Sequence, residues 1–189
     1  MSKFTEDKTE LTKEEQKKLD VDLYIAIMFN NNDYSAHERE ERINQQLAKV
    51  QELLDKGADI NVKNYHGSTP LMWAARNRHS EIFNQLIEKG ADINARNRYD
   101  NGALIFALQN PDTSMATKLI KSVTTTNCQE FKTAMQYCIQ DQDLIDLMIE
   151  KSTPETLTDS LLYAAGNGHT DMMKSLIERG VDVYAVGKD

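Results

Sequence analysis

The chain has 189 residues, 40% of them hydrophobic and 28% charged, with 30 acidic against 22 basic residues and a formal net charge of -8. That composition supports a packed core and excludes a compositionally disordered chain, while the acidic balance speaks against a nucleic-acid partner, since phosphate binding rests on clustered Lys and Arg. No apolar run approaches the roughly 18 residues of a membrane span, and the polar start Met1-Ser2-Lys3-Phe4-Thr5-Glu6 has no apolar signal region, so the expected location is the cytoplasm.

Residues 1–18 are rich in Lys and Glu and read as a polar lead-in, with Leu11 and Leu19 the side chains able to dock as an N-terminal cap. Leu23 and Ala26 then belong to a first helix. Asn30-Asn31-Asn32-Asp33 is a turn signal. Beyond it Ile43, Leu47, Val50 and Leu54 keep a spacing of three or four, which predicts a long second helix. The pentapeptide Gly57-Ala58-Asp59-Ile60-Asn61 follows and returns unchanged, 33 residues later, as Gly90-Ala91-Asp92-Ile93-Asn94. Between the copies lies Asn64-Tyr65-His66-Gly67-Ser68-Thr69-Pro70-Leu71-Met72-Trp73-Ala74-Ala75. Thr69 suits an N-cap and Pro70 the first helical position, where a missing N–H costs nothing. Leu71, Ala74 and Ala75 form the inward face of that helix. Ser80 is expected to cap a second helix carrying Ile82, Phe83, Leu86 and Ile87, which Gly90 ends.

A 33-residue period with this T-P-L motif resembles the ankyrin repeat family. Adding 33 maps Leu71, Ala74, Leu86 and Ile87 onto Leu104, Ala107, Leu119 and Ile120; adding 90 maps them onto Leu161, Ala164, Leu176 and Ile177. Ser80 maps onto Thr113 and Thr170. A worn copy with Thr133, Met135, Cys138, Met148 and Ile149 lies between, and Gly180-Val181-Asp182-Val183 is a looser pentapeptide. The resemblance implies an all-α solenoid of about five helix-turn-helix repeats with short β-hairpin fingers, at approximately 19–61, 62–94, 95–125, 126–151 and 152–185. The first repeat carries an insertion, Asn30 to Ala48, and a lengthened second helix. Fingers are lost after Ile120 and Ile149. Cys128 and Cys138 are expected to be buried free thiols rather than a disulfide or metal site. Because the last repeat keeps Met172, Met173, Leu176 and Ile177, the chain is expected to continue past Asp189 or to be covered there by a partner.

The resemblance further implies protein binding through the fingers and the exposed side of the first helices. Those positions are Lys63, Tyr65, His66 and Ser68 on one finger, Arg96, Arg98, Tyr99 and Asn101 on the next, and Arg76 and Asn77 on a first helix. Lys63, Arg76, Arg96 and Arg98 would gather on one surface of an acidic protein. They fit an acidic or phosphorylated segment, with Tyr65 and Tyr99 as anchors; the competing reading is a solvated loop surface. Trp73, Phe106, Tyr137 and Tyr163 precede the key small residue in successive copies and would align as an aromatic ladder, either a binding strip or, more often at this position, seam filler between repeats.

Enzymatic chemistry is not expected. His79 and His169 fall in inter-helix turns, where the family uses His as a structural hydrogen-bonding residue, and His37 and His66 fall in the insert and on a fingertip. No phosphate cradle, H-E-x-x-H or C-x-x-C motif occurs, and no cofactor, metal or small-molecule substrate is expected. The functional expectation is an adaptor that recognises a protein segment; the alternative is a targeting module of a larger effector or enzyme whose catalytic domain is outside this chain. Self-assembly through the open end or the protruding second helix is a third option. The irregular, Asn-rich repeats also suit a protein that an intracellular microbe delivers into a host cell.

Overall fold

A computed structural model describes residues 11–28, 36–122, 133, 134, 137, 141–182 and 184. The expected turn at 30–33, Met135, the two cysteines, the linker at 123–127 and the end of the chain past 184 lie outside them. The helices are α1 (Lys13–Met28), α2 (Ala36–Asp55), α3 (Pro70–Arg76), α4 (Ser80–Glu88), α5 (Ala103–Leu108), α6 (Ser114–Ser122), α7 (Gln142–Lys151), α8 (Pro154–Asn167) and α9 (Thr170–Glu178). Each first helix packs on its own second helix in the pairs α1/α2, α3/α4, α5/α6 and α8/α9. Between repeats, α3 packs on both α1 and α5, α2 on α4, α6 on α7 and α7 on α9. Of the worn copy's first helix, Thr133, Ala134 and Tyr137 are helical.

Local chemistry explains the boundaries. Thr69, extended at φ -92° and ψ 166°, accepts a hydrogen bond from the Met72 amide and sets Pro70 at the start of α3. Gly90 takes φ +88°, where a Cβ would be strained; its amide bonds the Ile87 carbonyl at 3.0 Å and the Ala91 amide reaches back to Leu86 at 2.9 Å. The same pair of bonds follows α2 at Gly57 and Ala58, and α9 at Gly180 and Val181. The core is one continuous cluster from Leu23 and Ile27 on α1, through Phe83 and Leu86, to Met172 and Leu176 on α9.

Three expectations are corrected. Helix α1 starts at Lys13, within the stretch read as lead-in, because Thr12 and Glu15 form a reciprocal cap: the Glu15 amide donates to Thr12 Oγ1 at 3.3 Å and the Thr12 amide to Glu15 Oε2 at 2.9 Å. The Thr12 hydroxyl, donating to Glu15 Oε2 at 2.7 Å, and then the Thr12 amide hold the Glu15 carboxyl below its ordinary pKa. Ser80 and Thr170 are the first helical residues rather than caps; the cap positions belong to His79 and His169, neither of which makes a side-chain cap bond. The fingers, finally, are turns, and no β-strand occurs among the described residues. Asn64 Oδ1 accepts from the His66 and Ser68 amides at 2.9 and 3.0 Å, and Asn97 Oδ1 accepts from Tyr99 and Asn101 at 2.9 and 3.0 Å. A main-chain bond closes each turn, from the Asn64 amide to the Ser68 carbonyl and from the Asn97 amide to the Asn101 carbonyl, both at 3.1 Å, and the Asn side chains supply further acceptors.

Candidate functional site

The first two fingers are tied to each other and to α1. The Arg98 amide donates to the His66 carbonyl at 2.9 Å, Lys63 Nζ to the Arg96 carbonyl at 3.2 Å, and the Asp92 amide to Asn61 Oδ1 at 2.8 Å. Gly67 sits in this junction at φ +75°, and a Cβ there would come within 3.1 Å of the Arg98 nitrogen, so only glycine lets the fingers approach this closely. From α1, Asp20 Oδ1 accepts from the Asp59 amide at 2.8 Å and Gln16 Nε2 donates to the Gly57 carbonyl at 2.9 Å. A loop pair held by this many hydrogen bonds to main-chain groups presents its side chains on a fixed base.

Four of the sequence-predicted residues meet at the fingertips. The Arg98 guanidinium lies over the Tyr65 ring at 4.9 Å, Tyr65 stands edge-on to His66 with centroids 5.4 Å apart, and His66 is 6.1 Å from Tyr99. Tyr65 is 78% and Tyr99 68% exposed, far beyond what large aromatic side chains show when they serve the core.

Below the fingertips an open groove of about 990 Å³ runs between α1 on one side and the first finger and α3 on the other. Val21, Ile25 and Met28 of α1 line it, each close to half exposed. Tyr24 and Trp73 also line it, with ring centroids 6.4 Å apart at 82°. The Tyr24 hydroxyl donates to the Ser68 carbonyl, and burial pushes the phenol's pKa up. Trp73 is half-buried, with the Arg76 guanidinium 5.3 Å from its ring; its indole nitrogen is buried without a well-formed hydrogen bond, its interaction with the Tyr24 phenol being a weak one. Lys13, Lys17, Lys63 and Arg76 supply positive charge along the groove, and His66 belongs to both groove and fingertips.

Other expected site residues turn inward. Ser68 is buried and faces Asn97 Nδ2, Asn101 is half-buried in the second finger's turn, and Asn77 Nδ2 donates to the Ile27 carbonyl at 3.4 Å as the end of α3. Arg96 is half-buried, and Phe106 is half-buried against the core on α5. Of the other ladder members, Tyr163 is half-buried and Tyr137 is 48% exposed. His79 is buried with both ring nitrogens unpartnered, contrary to the hydrogen-bonding role expected of it. Sequence reasoning missed the α1 wall, although the i, i+4, i+7 spacing of Val21, Ile25 and Met28 is a visible signal of a single face.

No cluster of three or more His, Cys, Asp or Glu among the described residues is placed to hold a metal ion, and no described helix is long and apolar enough to cross a membrane. The comparison with protein families matches residues 23–97 and 103–186 to ankyrin repeats described in three copies. The chain therefore belongs to the ankyrin repeat family, whose repeats serve as protein–protein interaction modules. Among solved structures it is similar to a chain of the complex between the predatory endopeptidase Bd0816 of Bdellovibrio bacteriovorus and the immunity protein Bd3460, with 26% identity over 76% of this chain and 81% of that one and a TM-score of 0.57. No curated protein matches the chain.

Proposed function

We propose that the chain is a non-catalytic recognition module that captures a partner protein on the tips of its first two fingers and along the neighbouring first helices, and that the captured segment is acidic. The observation that carries this reading is the fingertip cluster: two strongly exposed tyrosines and Arg98 on a base locked by the Arg98–His66 main-chain bond. Rigid aromatic side chains lose little entropy when they bind, and aromatic and Arg side chains dominate interface energetics. Lys63, Arg76 and Arg98 on the same side of a chain of net charge -8 favour carboxylates there over the rest of its surface. The similarity to a chain of a peptidase–immunity protein complex supports a role in protein assembly.

The test is affinity capture from the source cell's lysate with the wild type, an Arg96→Glu/Arg98→Glu chain and a Tyr65→Ala/Tyr99→Ala chain, followed by affinity measurement on the purified partner. Each double variant should weaken binding by at least roughly tenfold, the loss typical of truncating hot-spot residues. A partner held equally well by all three chains would move the interface off the fingers and overturn the reading.

A further inference from the structure

We infer that the groove between α1 and the first finger is the seat of an amphipathic helix of the partner, whose apolar face is flanked by carboxylates. The inference rests on the reading of the chain as a protein-recognition module and names the chemistry of what it takes.

Three observations lead there. First, Val21, Ile25 and Met28 lie at i, i+4 and i+7, so they form one stripe along α1, and each leaves about half its surface in water. A stripe of this kind beside Trp73 is a contiguous apolar surface of the sort that marks an interaction site. Second, the walls offer side chains and no sheet edge: α1 and α3 are helices, and no strand occurs among the described residues. A partner therefore gains nothing there by presenting an extended backbone, whereas a helix laid along α1 offers its own apolar stripe at matching spacing. The 16 residues of α1 span about 24 Å, which sets the occupant at roughly four turns. Third, the charge around the stripe is mostly positive. Lys13 and Lys17 come from α1, Lys63 and Arg76 from the opposite wall, and the lining acid Asp20 is engaged by the Asp59 amide and Gln16. A helix with carboxylates along both flanks of its apolar face meets cations on both walls.

The probe is a fluorescent 16-residue helical peptide with leucines on one face and glutamates on its flanks, compared by anisotropy with a lysine-flanked counterpart and with a version broken by two central prolines. The wild type should bind the glutamate peptide roughly tenfold or more tighter than either control, and the preference should shrink as salt rises. Ile25→Glu should abolish binding without altering the circular dichroism spectrum, since Ile25 is 49% exposed. Lys17→Glu/Arg76→Glu should shift preference to the lysine peptide. Equal binding of the lysine or proline peptide, or an Ile25→Glu chain that binds as the wild type does, overturns the inference. So does binding that appears only after residues 1–10 are removed, which would assign the groove to the chain's own start, or a wild-type dimer in sedimentation equilibrium that Ile25→Glu dissociates, which would assign it to a second copy. A finger-dependent partner that Ile25→Glu still captures refutes the helical occupant alone; a partner indifferent to the finger variants refutes the recognition reading beneath it.

Discussion

Trp73 joins stability to recognition, and its replacement by Ala and by Phe should separate the two. Truncating a fully buried large aromatic costs about 3–5 kcal/mol, but Trp73 is half-buried because one side faces the groove. Half of that range is about 1.5–2.5 kcal/mol, and loss of the Tyr24 edge contact adds about 0.5–1.5 kcal/mol. Removing a buried indole N–H that lacks a well-formed hydrogen bond returns about 1 kcal/mol or more. Trp73→Ala is therefore expected to cost about 1–3 kcal/mol, or roughly 2–12 °C in melting temperature for a chain of this size. Trp73→Phe keeps a ring against Tyr24 and sheds the N–H, so its cost should stay below about 1 kcal/mol. Urea unfolding followed at 222 nm, with an unchanged m-value, measures both. If Phe costs as much as Ala, the indole nitrogen has a partner that matters and the ledger is wrong; if Ala costs well above about 4 kcal/mol, Trp73 is core rather than groove wall.

Asn110 should prove a strut between repeats: its amide nitrogen donates to the Ala75 carbonyl at 2.7 Å and to Phe106 at 3.2 Å, and its oxygen accepts from Arg78 Nε at 2.9 Å. Asn110→Ala removes these bonds, although the Ala75 carbonyl keeps the Arg78 amide at 3.3 Å, and should cost about 1–2 kcal/mol in urea unfolding, whereas a loss under about 0.5 kcal/mol would show that water replaces the side chain. His79 predicts a pH dependence. Burial holds its pKa below the ordinary histidine value, with Glu81 pulling weakly the other way. Below about pH 6.5 the unfolded chain takes up a proton that the folded chain resists, so this contribution is complete above that pH and is lost as pH falls through the folded value. His79→Leu should flatten the fall in urea midpoint between about pH 7.5 and 5.5 relative to wild type; parallel slopes would remove His79 as the source.

The repeat architecture was legible because the chain states it twice. Gly57 to Asn61 and Gly90 to Asn94 are identical, and the Thr69-Pro70 pair marks a helix start that the structure reproduces. What escaped was chemistry that composition conceals. The Lys- and Glu-rich residues before Leu19 read as a polar lead-in, yet Thr12 and Glu15 have the spacing of a reciprocal cap, and Lys, Glu and Gln are good helix formers. The expectation of β-hairpins came from the family and not from the residues. Asn64 and Asn97, 33 positions apart, held the contrary signal, because an Asn that accepts two amides closes a turn without a paired strand.

The site divides along a similar line. Fingertip residues could be named from the family resemblance, since Tyr65, His66, Arg98 and Tyr99 are placed by their offset from the repeated pentapeptide. The α1 wall was missed although its spacing was visible, for a physical reason. From Val21 to Met28 the sequence is apolar at nearly every position, so the faces carrying Leu23 and Ile27 and carrying Val21, Ile25 and Met28 look equally fit for the core. A helix apolar all round is ordinarily enclosed on every side. Among the described residues, however, α2 and α3 pack on α1 and cover Leu23 and Ile27, and the face carrying Val21, Ile25 and Met28 lines the groove. The apolarity of α1 thus exceeds what α2 and α3 cover, and the exposed stripe beside Trp73 is the surface that the proposed helical partner would bury.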